Sequence, residues 1–394
     1  RACSLMVCRL KQKKKCNLTL SGPRLPLKIL VMKNKKNTPD YRDYLQLNSL
    51  LKSQELVSDK LGKKAHDEML FIITHQVYEL WFKQILYEID SIFEVFKIKN
   101  VDESKVGTVV SRLHRINEII QLLIDQIKIL ETMTPMDFLE FRDMLTPASG
   151  FQSGQFRMIE NKIGLLKNER HEYGGKDYKE KIHKNEFKDV ENSENSDSLF
   201  IFVEKWLERT PFLVSEDYNF WDQYKKAVKK MILNDKKIIE KNESLSENEK
   251  ESHYNQYNLT EKMFNSFFDE SVFSKMKASG QFRLSYKATH AALLILLYRD
   301  QPILHNPYRL LSKLIDLDEL LTTWRYKHHL LATRMIGKKI GTGGSVGASY
   351  LKKALTKHRV FEDLSSLTTF LIPRSELPSL PESIIRKLSF HYDS

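Results

Sequence analysis

The sequence predicts an all-α protein, and two observations support this fold class. Apolar residues recur at spacings of three and four over long stretches, as they do along one face of a helix, and no stretch shows the alternation of a strand. Helix-breaking residues are also scarce, since the 394 residues include 14 glycines and 11 prolines, where average usage would give roughly 28 and 20. Long helices with few breaks between them predict a helical bundle.

The helical patterns follow one another along most of the chain. The first spans residues 66–97, the second 105–132, and the third, after the break at Ser149-Gly150, 155–166. A body of this length holds two domains or one large one, and we expect a single helical domain over residues 40–394. Further patterns lie at 198–209, 219–240, 258–269, 281–299, 307–335 and 357–370.

Two stretches of this body, residues 173–197 and 234–257, carry many charges and few apolar side chains. Such composition is typical of solvated insertions. We therefore expect a surface loop in the first and a charged helical arm in the second, and we expect neither to carry chemistry.

The basic character of the chain is confined to a leader at its start. The formal net charge of +12 would favour a nucleic-acid or membrane partner. However, residues 1–39 hold 11 of the 63 basic residues and no acidic one, which leaves 52 basic and 51 acidic residues in the body. This balance argues against nucleic acid as a partner and makes a non-enzymatic basic scaffold the weakest alternative.

The leader itself is expected to be a disordered tail or untranslated sequence, with Met32 as a candidate start. A targeting segment is the alternative, because the leader is basic and lacks acidic residues. All three cysteines lie in it, at Cys3, Cys8 and Cys16, so the body has no disulfide framework and no thiolate metal site. No window holds the ~18 apolar residues of a membrane helix. We therefore expect a cytoplasmic protein without a membrane partner.

Two histidines on apolar helices are candidates for chemistry. The zinc motif His-Glu-x-x-His, a pair of Glu-x-x-His motifs, and the usual serine and cysteine nucleophile motifs are absent. A single neutral histidine can nevertheless hold haem iron. His75 and His328 each lie in a strongly apolar helical segment, and the alternative for each is a core or surface histidine. Because neighbouring helix residues point about 100° apart, only one of His328 and His329 can face a given cavity.

Two further features suggest ligand contacts. Arg142 stands among aromatic residues at the end of a helical pattern, where a guanidinium could clamp a carboxylate; an ion pair with Asp143 or Glu140 is the alternative. Five glycines lie in the segment 337–347, which follows a helix and matches neither a phosphate-binding loop nor a dinucleotide fingerprint. Such a segment brings backbone N–H groups close to a ligand, or it serves as a flexible connector.

Seven short motifs, taken together and in order, resemble the tryptophan 2,3-dioxygenase family. The resemblance runs from about Asp40 to Phe390 and has no counterpart for the leader. The motifs are Tyr41-Arg-Asp-Tyr44, His66-Asp-Glu with Thr74-His75-Gln, Phe141-Arg142, Ser149-Gly-Phe-Gln, Trp206-Leu-Glu-Arg-Thr-Pro, Trp324-Arg-Tyr-Lys-His328 and Gly341-Thr342-Gly-Gly-Ser.

The resemblance implies a helical enzyme with one haem b per subunit. Such an enzyme inserts both atoms of O2 across the indole C2–C3 bond of L-tryptophan and forms N-formyl-L-kynurenine, the first step of the kynurenine pathway. A related haem dioxygenase that acts on other indoles is the alternative. The resemblance also implies a homotetramer in which Tyr41 and Tyr44 complete the pocket of a neighbouring subunit.

The resemblance further implies a role for each site residue. His328 would be the proximal iron ligand, and His75 would accept a hydrogen bond from the indole N–H on the distal side. Arg142 would pair with the substrate carboxylate, and Thr342 would meet both the carboxylate and the ammonium group. The remaining pocket residues would be Phe71, Ile72, Ile73 and Thr74 in the wall, Phe138 against the indole, and Ser149 and Gly150 beside the haem.

The chain departs from the family near the expected iron ligand. Lys327 stands where the family commonly has asparagine, and Thr333 stands where it has another histidine. His329 replaces an apolar residue, which raises the question of which imidazole binds iron. The register of the motif favours His328.

Overall fold

Helices account for nearly all regular structure in the part of the chain that the computed structural model describes. That part comprises residues 39–98, 101–170, 178–210, 214–215, 218–337, 339 and 358–388. The leader up to residue 38 and most of the glycine-rich segment, including Thr342, lie outside it. The chain divides into two compact units, residues 1–53 and 54–394.

The described part of the first unit holds two short helices, α1 (Tyr41–Tyr44) and α2 (Leu47–Leu50). The Asp40 side chain starts α1 by accepting a hydrogen bond of 2.8 Å from the backbone N–H of Asp43. Tyr41 and Tyr44 are 75% and 74% exposed.

The second unit begins with α3 (Val57–Lys60) and continues through the long helices α4 (Glu68–Phe96) and α5 (Glu103–Leu130). After these come α6 (Pro135–Arg142), α7 (Gly154–Ile163), α8 (Lys184–Asn195), α9 (Leu199–Leu207), α10 (Phe220–Glu240), α11 (Glu247–Phe268), α12 (Glu270–Ala278), α13 (Tyr286–Leu297), α14 (His305–Ile336), α15 (Glu362–Ser366) and α16 (Glu382–Leu388). Among the described residues, Val214–Ser215 and Tyr218–Asn219 form an antiparallel pair of very short strands. The all-α prediction is confirmed.

The core is built on α4, α5 and α14, with α5 packed against both other helices. Their facing sides bury aliphatic residues such as Ile89, Leu113 and Leu314, each of which stabilises the fold by about 1.5–3 kcal/mol. Polar bonds fix the register between the helices: the Tyr78 hydroxyl donates to the carbonyl of Leu123 at 2.6 Å. These three helices also carry much of the site described below.

Most of the predicted segments are helical in the structure; α12 and α16 were not predicted, and two predicted segments have different bounds. The segment 281–299 is helical only from Tyr286 to Leu297. The segment 357–370 does not begin as a helix, because the carboxylate of Asp318 accepts the backbone N–H groups of Val360 at 3.0 Å and Phe361 at 2.5 Å. Since these donors bond to a side chain, helix α15 starts only at Glu362.

The first of the two charged stretches is more ordered than its composition suggests. Within 173–197, where we expected a surface loop, residues 184–195 form α8. Val190 of this helix is fully buried, and the Asn161 amide of α7 donates to the Ser193 hydroxyl at 2.8 Å. The stretch 234–257 spans the end of α10 and the start of α11, which pack against each other as a charged helical arm. None of the described helices combines the length and apolar content of a membrane span.

Candidate functional site

A cavity of about 290 Å³ lies among α4, α5, α6, α7 and α14. Most of its wall is apolar and aromatic, and a few charged side chains and three histidines interrupt it, which is the usual character of a small-molecule site. It brings together seven of the residues that the sequence predicts for the site: Phe71, His75, Phe138, Arg142, Ser149, Gly150 and His328.

His75 enters this cavity from α4 in a defined protonation state. Its Nδ1 lies 2.7 Å from the carbonyl oxygen of Phe71, one turn earlier. Because a carbonyl can only accept, Nδ1 must carry the hydrogen and donate it. Burial lowers the pKa of His75, so the ring is neutral at pH 7. Its Nε2 is therefore left as a hydrogen-bond acceptor.

His328 enters the cavity from α14. Burial, with smaller contributions from the neighbouring His75 and His329, lowers its pKa to about 4. The imidazole is thus neutral at pH 7, which is the form that binds iron. Among the described residues its Nδ1 is buried without a hydrogen-bond partner. His329 is not part of the cavity wall, and this placement favours His328 as the ligand.

Arg142 lies at the C-terminal end of α6. A capping box formed by Thr134 and Asp137 stabilises the N-terminus of that helix, and Pro135 lies in its first turn. The Arg142 side chain is 14% exposed, and its Nη1 lies 3.4 Å from Asp143, whose side chain is 89% exposed. A pair with so exposed a carboxylate contributes at most about 1 kcal/mol. The guanidinium is therefore placed at the cavity, and its contact with the exposed Asp143 carboxylate is a weak one.

Aromatic rings and one small residue shape the cavity wall. The ring centroids of Phe71 and Phe138 are 5.7 Å apart, and those of Phe156 and Trp324 are 5.0 Å apart. Gly150 lies in a short 3-10 turn that the Ser149 side chain caps. A Cβ at Gly150, which is exposed, would meet no atom of the described residues within 4 Å.

Three further predicted site residues, Ile72, Ile73 and Thr74, do not line this cavity. Ile72, Ile73 and Thr74 follow Phe71 on α4, and each step along a helix rotates the side chain by about 100°. Phe71 and His75, one turn apart, consequently share the cavity face, whereas Thr74 is buried elsewhere and Ile73 is 44% exposed. The roles of these three residues stay predictions, as does that of Thr342.

The cavity wall also contains a charged cluster that the sequence did not reveal, formed by Arg157, Glu160, Arg325 and His358. Arg157 Nη1 and Arg325 Nη2 donate to the Glu160 carboxylate at 2.9 and 3.1 Å. Burial by itself would raise the pKa of Glu160, yet the surrounding cationic side chains hold it well below its usual value. In the sequence these residues resemble ordinary surface charges, and only the packing of α7 against α14 makes them a buried group.

Comparisons with known proteins identify one family and several similar sequences. A family model described as tryptophan 2,3-dioxygenase matches residues 31–371, beginning within the basic leader. A tryptophan 2,3-dioxygenase of Bdellovibrio bacteriovorus is 53% identical over 352 residues, which cover 89% of this chain and 98% of that protein. Another, of Dictyostelium discoideum, is 46% identical over 351 residues, covering 89% and 88%.

A third relative gives similar values. Tryptophan 2,3-dioxygenase B of Danio rerio is 44% identical over 346 residues, which cover 87% of this chain and 84% of that protein. The family match extends over most of the chain, and each of these relatives aligns with nearly all of the helical body. The chain therefore belongs to the tryptophan 2,3-dioxygenase family.

Proposed function

We propose that the chain binds one haem b per subunit and cleaves the indole C2–C3 bond of L-tryptophan with O2, which gives N-formyl-L-kynurenine. The observation that carries the proposal is the meeting of two neutral histidines, His75 and His328, with Arg142 in one aromatic cavity. The family membership supports it independently.

The residues present fit a haem group. His328 offers a buried neutral imidazole, and Ser149 and Gly150 line the same largely apolar cavity. When bound, haem supplies the activation of O2. His328 would hold the iron, and the protein around it would orient the substrate and exclude water.

Each remaining side chain has a defined task in this proposal. His75 keeps its proton on Nδ1, held by the Phe71 carbonyl, and its Nε2 accepts the indole N–H. Arg142 pairs with the substrate carboxylate, and Phe138 packs on the indole. Thr342 meets the carboxylate and the ammonium group, and Ile72, Ile73 and Thr74 complete the pocket. No strong base is required, which agrees with the absence of a catalytic triad from the sequence.

The test is an absorption spectrum of the purified chain followed by turnover under reducing conditions. A Soret band, and N-formyl-L-kynurenine that carries two oxygen atoms from labelled O2, are expected. A missing Soret band after haem supplementation, or a haem-loaded sample without product, would contradict the proposal. Turnover of indole or tryptamine as fast as that of L-tryptophan would indicate the related dioxygenase of other indoles instead.

We also propose a homotetramer in which Tyr41 and Tyr44 reach the pocket of a neighbouring subunit. Both tyrosines are exposed, and α4 has three exposed apolar residues, Ile73, Leu80 and Tyr87. Exposed apolar side chains along one helix support a subunit interface. A cytoplasmic location is proposed as well, since residues 40–394 contain no cysteine.

Subunit mixing tests the shared pocket. One variant carries Tyr41→Ala with Tyr44→Ala and keeps Arg142, and the other carries Arg142→Ala and keeps both tyrosines. If the tyrosines act on a neighbouring subunit, co-expressed mixtures recover activity at low L-tryptophan, because some pockets are then complete. Mixtures no more active than the sum of the two variants would contradict the shared pocket. A monomeric mass in light scattering would contradict the homotetramer.

A further inference from the structure

Tyr78 lines the cavity, and the function proposed so far gives it no task. It lies on α4 one turn after His75 and is only 8% exposed. Its hydroxyl donates to the carbonyl of Leu123 on α5 at 2.6 Å. Burial raises the pKa of Tyr78 to about 12, so the hydroxyl keeps its proton and stays a donor at neutral pH. A hydrogen bond therefore ties α4 to α5 one turn from His75.

Trp324 occupies the corresponding place on α14, one turn before His328, and lines the same cavity. The ring centroids of Tyr78 and Trp324 are 6.3 Å apart, and the Phe82 ring lies 6.1 and 6.4 Å from them. The indole of Trp324 interacts with the Tyr78 hydroxyl and moderates the rise of its pKa, although this contact does not reach normal hydrogen-bond geometry. Rings from α4 and α14 thus meet beside the two histidines.

The separation of His75 from His328 depends on how α4 and α14 are held, and both helices pack on α5. Asn117 of α5 donates from its side-chain amide to the carbonyl of Lys313 on α14 at 3.0 Å. The Tyr78 hydroxyl makes the equivalent bond between α4 and α5. Because cores are close-packed, large rings between two helices limit how near the helices come. The rings and the two hydrogen bonds therefore define the space between the histidines.

We infer that Tyr78 is a positioning residue: packed against Trp324 and bonded to α5, it holds α4 so that Nε2 of His75 meets the indole N–H. The inference rests on the proposed function, in which His75 is that acceptor. Tyr78 acts through the helix that it shares with His75. Losing its hydroxyl should therefore weaken the interaction of His75 with the indole N–H and should leave the substrate carboxylate paired with Arg142.

The test compares Tyr78→Phe, which removes the hydroxyl and keeps the ring, with Tyr298→Phe. Tyr298 is a matched control, because it is also 8% exposed and its hydroxyl donates to the carbonyl of Pro378 at 2.6 Å, but it does not line the cavity. Each haem-loaded variant is assayed with L-tryptophan and with 1-methyl-L-tryptophan, which has no indole N–H. Amide hydrogen exchange of the full chain without haem reports on α4 independently of activity.

Tyr78→Phe should lower kcat/KM for L-tryptophan by roughly two- to fivefold, up to the factor that one neutral hydrogen bond contributes. The value for 1-methyl-L-tryptophan should change little, and amide exchange in residues 68–82 should become faster. Tyr298→Phe should leave the ratio of the two substrates and the exchange of α4 unchanged.

Three results would overturn the inference and leave the proposed function standing. They are a substrate ratio that Tyr78→Phe does not change, an exchange rate of α4 that it does not change, and the same two shifts in Tyr298→Phe. An unmodified, haem-loaded chain that forms no N-formyl-L-kynurenine would overturn the proposed function and the inference together.

Discussion

Two buried histidines of this molecule have similar titration behaviour and different surroundings. His328 on α14 and His290 on α13 both have a pKa that burial lowers to about 4. Each also has a buried ring nitrogen without a hydrogen-bond partner among the described residues. By these criteria alone, the two histidines are equivalent.

Their neighbours distinguish them. His290 donates from Nδ1 to the carbonyl of Tyr286 at 2.8 Å, since a carbonyl can only accept. The ring centroids of Tyr286, Phe267 and Trp221 lie 4.0, 4.6 and 4.7 Å from it, and His290 is not part of the cavity wall. His328, in contrast, shares an open cavity with His75 and Arg142. A lowered pKa therefore reports burial, and only the cavity with its polar groups indicates a site.

The largest expected effect is the loss of haem binding and turnover on substitution of His328, which substitution of His290 should not cause. His328→Ala should abolish the Soret band and reduce turnover by more than about 100-fold. Mutation of a residue that only supports a metal ligand lowers metal affinity or activity by about 10–100-fold, and loss of the ligand itself should cost more. His290→Phe and His329→Ala should keep both the Soret band and turnover. Absorption spectra of the three purified variants decide this, and loss of haem only in His329→Ala would transfer the ligand role to His329.

The second effect concerns stability against acid. His290 has a pKa near 6.5 when unfolded and about 4 when folded, so the unfolded chain binds more protons between these values. The contribution of neutral His290 to the free energy of unfolding is roughly 3 kcal/mol; it is complete above pH 6.5 and is lost as the pH falls to about 4. Burial raises the pKa of Asp318 to about 6, which acts in the opposite direction.

Urea unfolding at pH 4.5 and 7 therefore compares the unmodified chain with His290→Phe. The variant should lose less stability on acidification, because phenylalanine has no proton to bind in the aromatic cluster. Asp318 contributes equally to both proteins and cancels in the difference. An identical pH dependence in the two proteins would mean that the aromatic cluster accommodates a charged imidazole.

The third effect tests whether the charge at the cavity serves the substrate. Arg142→Ala should raise KM for L-tryptophan at least tenfold, about 1.4 kcal/mol, because the substrate carboxylate would lose its partner in an apolar site. Asp143→Ala removes only the exposed partner of Arg142 and should leave KM unchanged. Steady-state kinetics measure both, and an unchanged KM in Arg142→Ala would remove this residue from the site.

The smallest effect concerns the acceptor at Nε2 of His75. His75→Phe should lower kcat/KM for L-tryptophan by roughly fivefold, as expected for a neutral hydrogen bond of about 1 kcal/mol. The substrate 1-methyl-L-tryptophan has no indole N–H, so its kcat/KM should differ little between the unmodified enzyme and His75→Phe. Equal losses for both substrates would show that His75 acts by packing alone.

The sequence predicted parts of the site that depend on position along one helix. Phe71 and His75 are one turn apart, so the same face of α4 had to carry both. The charged cluster could not be predicted in this way, because Glu160 and Arg325 are distant in sequence and meet only where α7 packs against α14. The start of α15 was missed for the same reason, since Asp318 reaches it from another helix.

By itself, the sequence determined the fold class, the long helices and the family, because apolar spacing and motif order are local properties of the chain. The tertiary structure alone decided which buried groups face a cavity. His290 and His328 both lie on apolar helices, and the separation between them arises from packing: aromatic rings close around one, while α4, α6 and α7 leave space beside the other. Burial follows from local pattern, whereas a cavity is what remains between distant segments once they have packed.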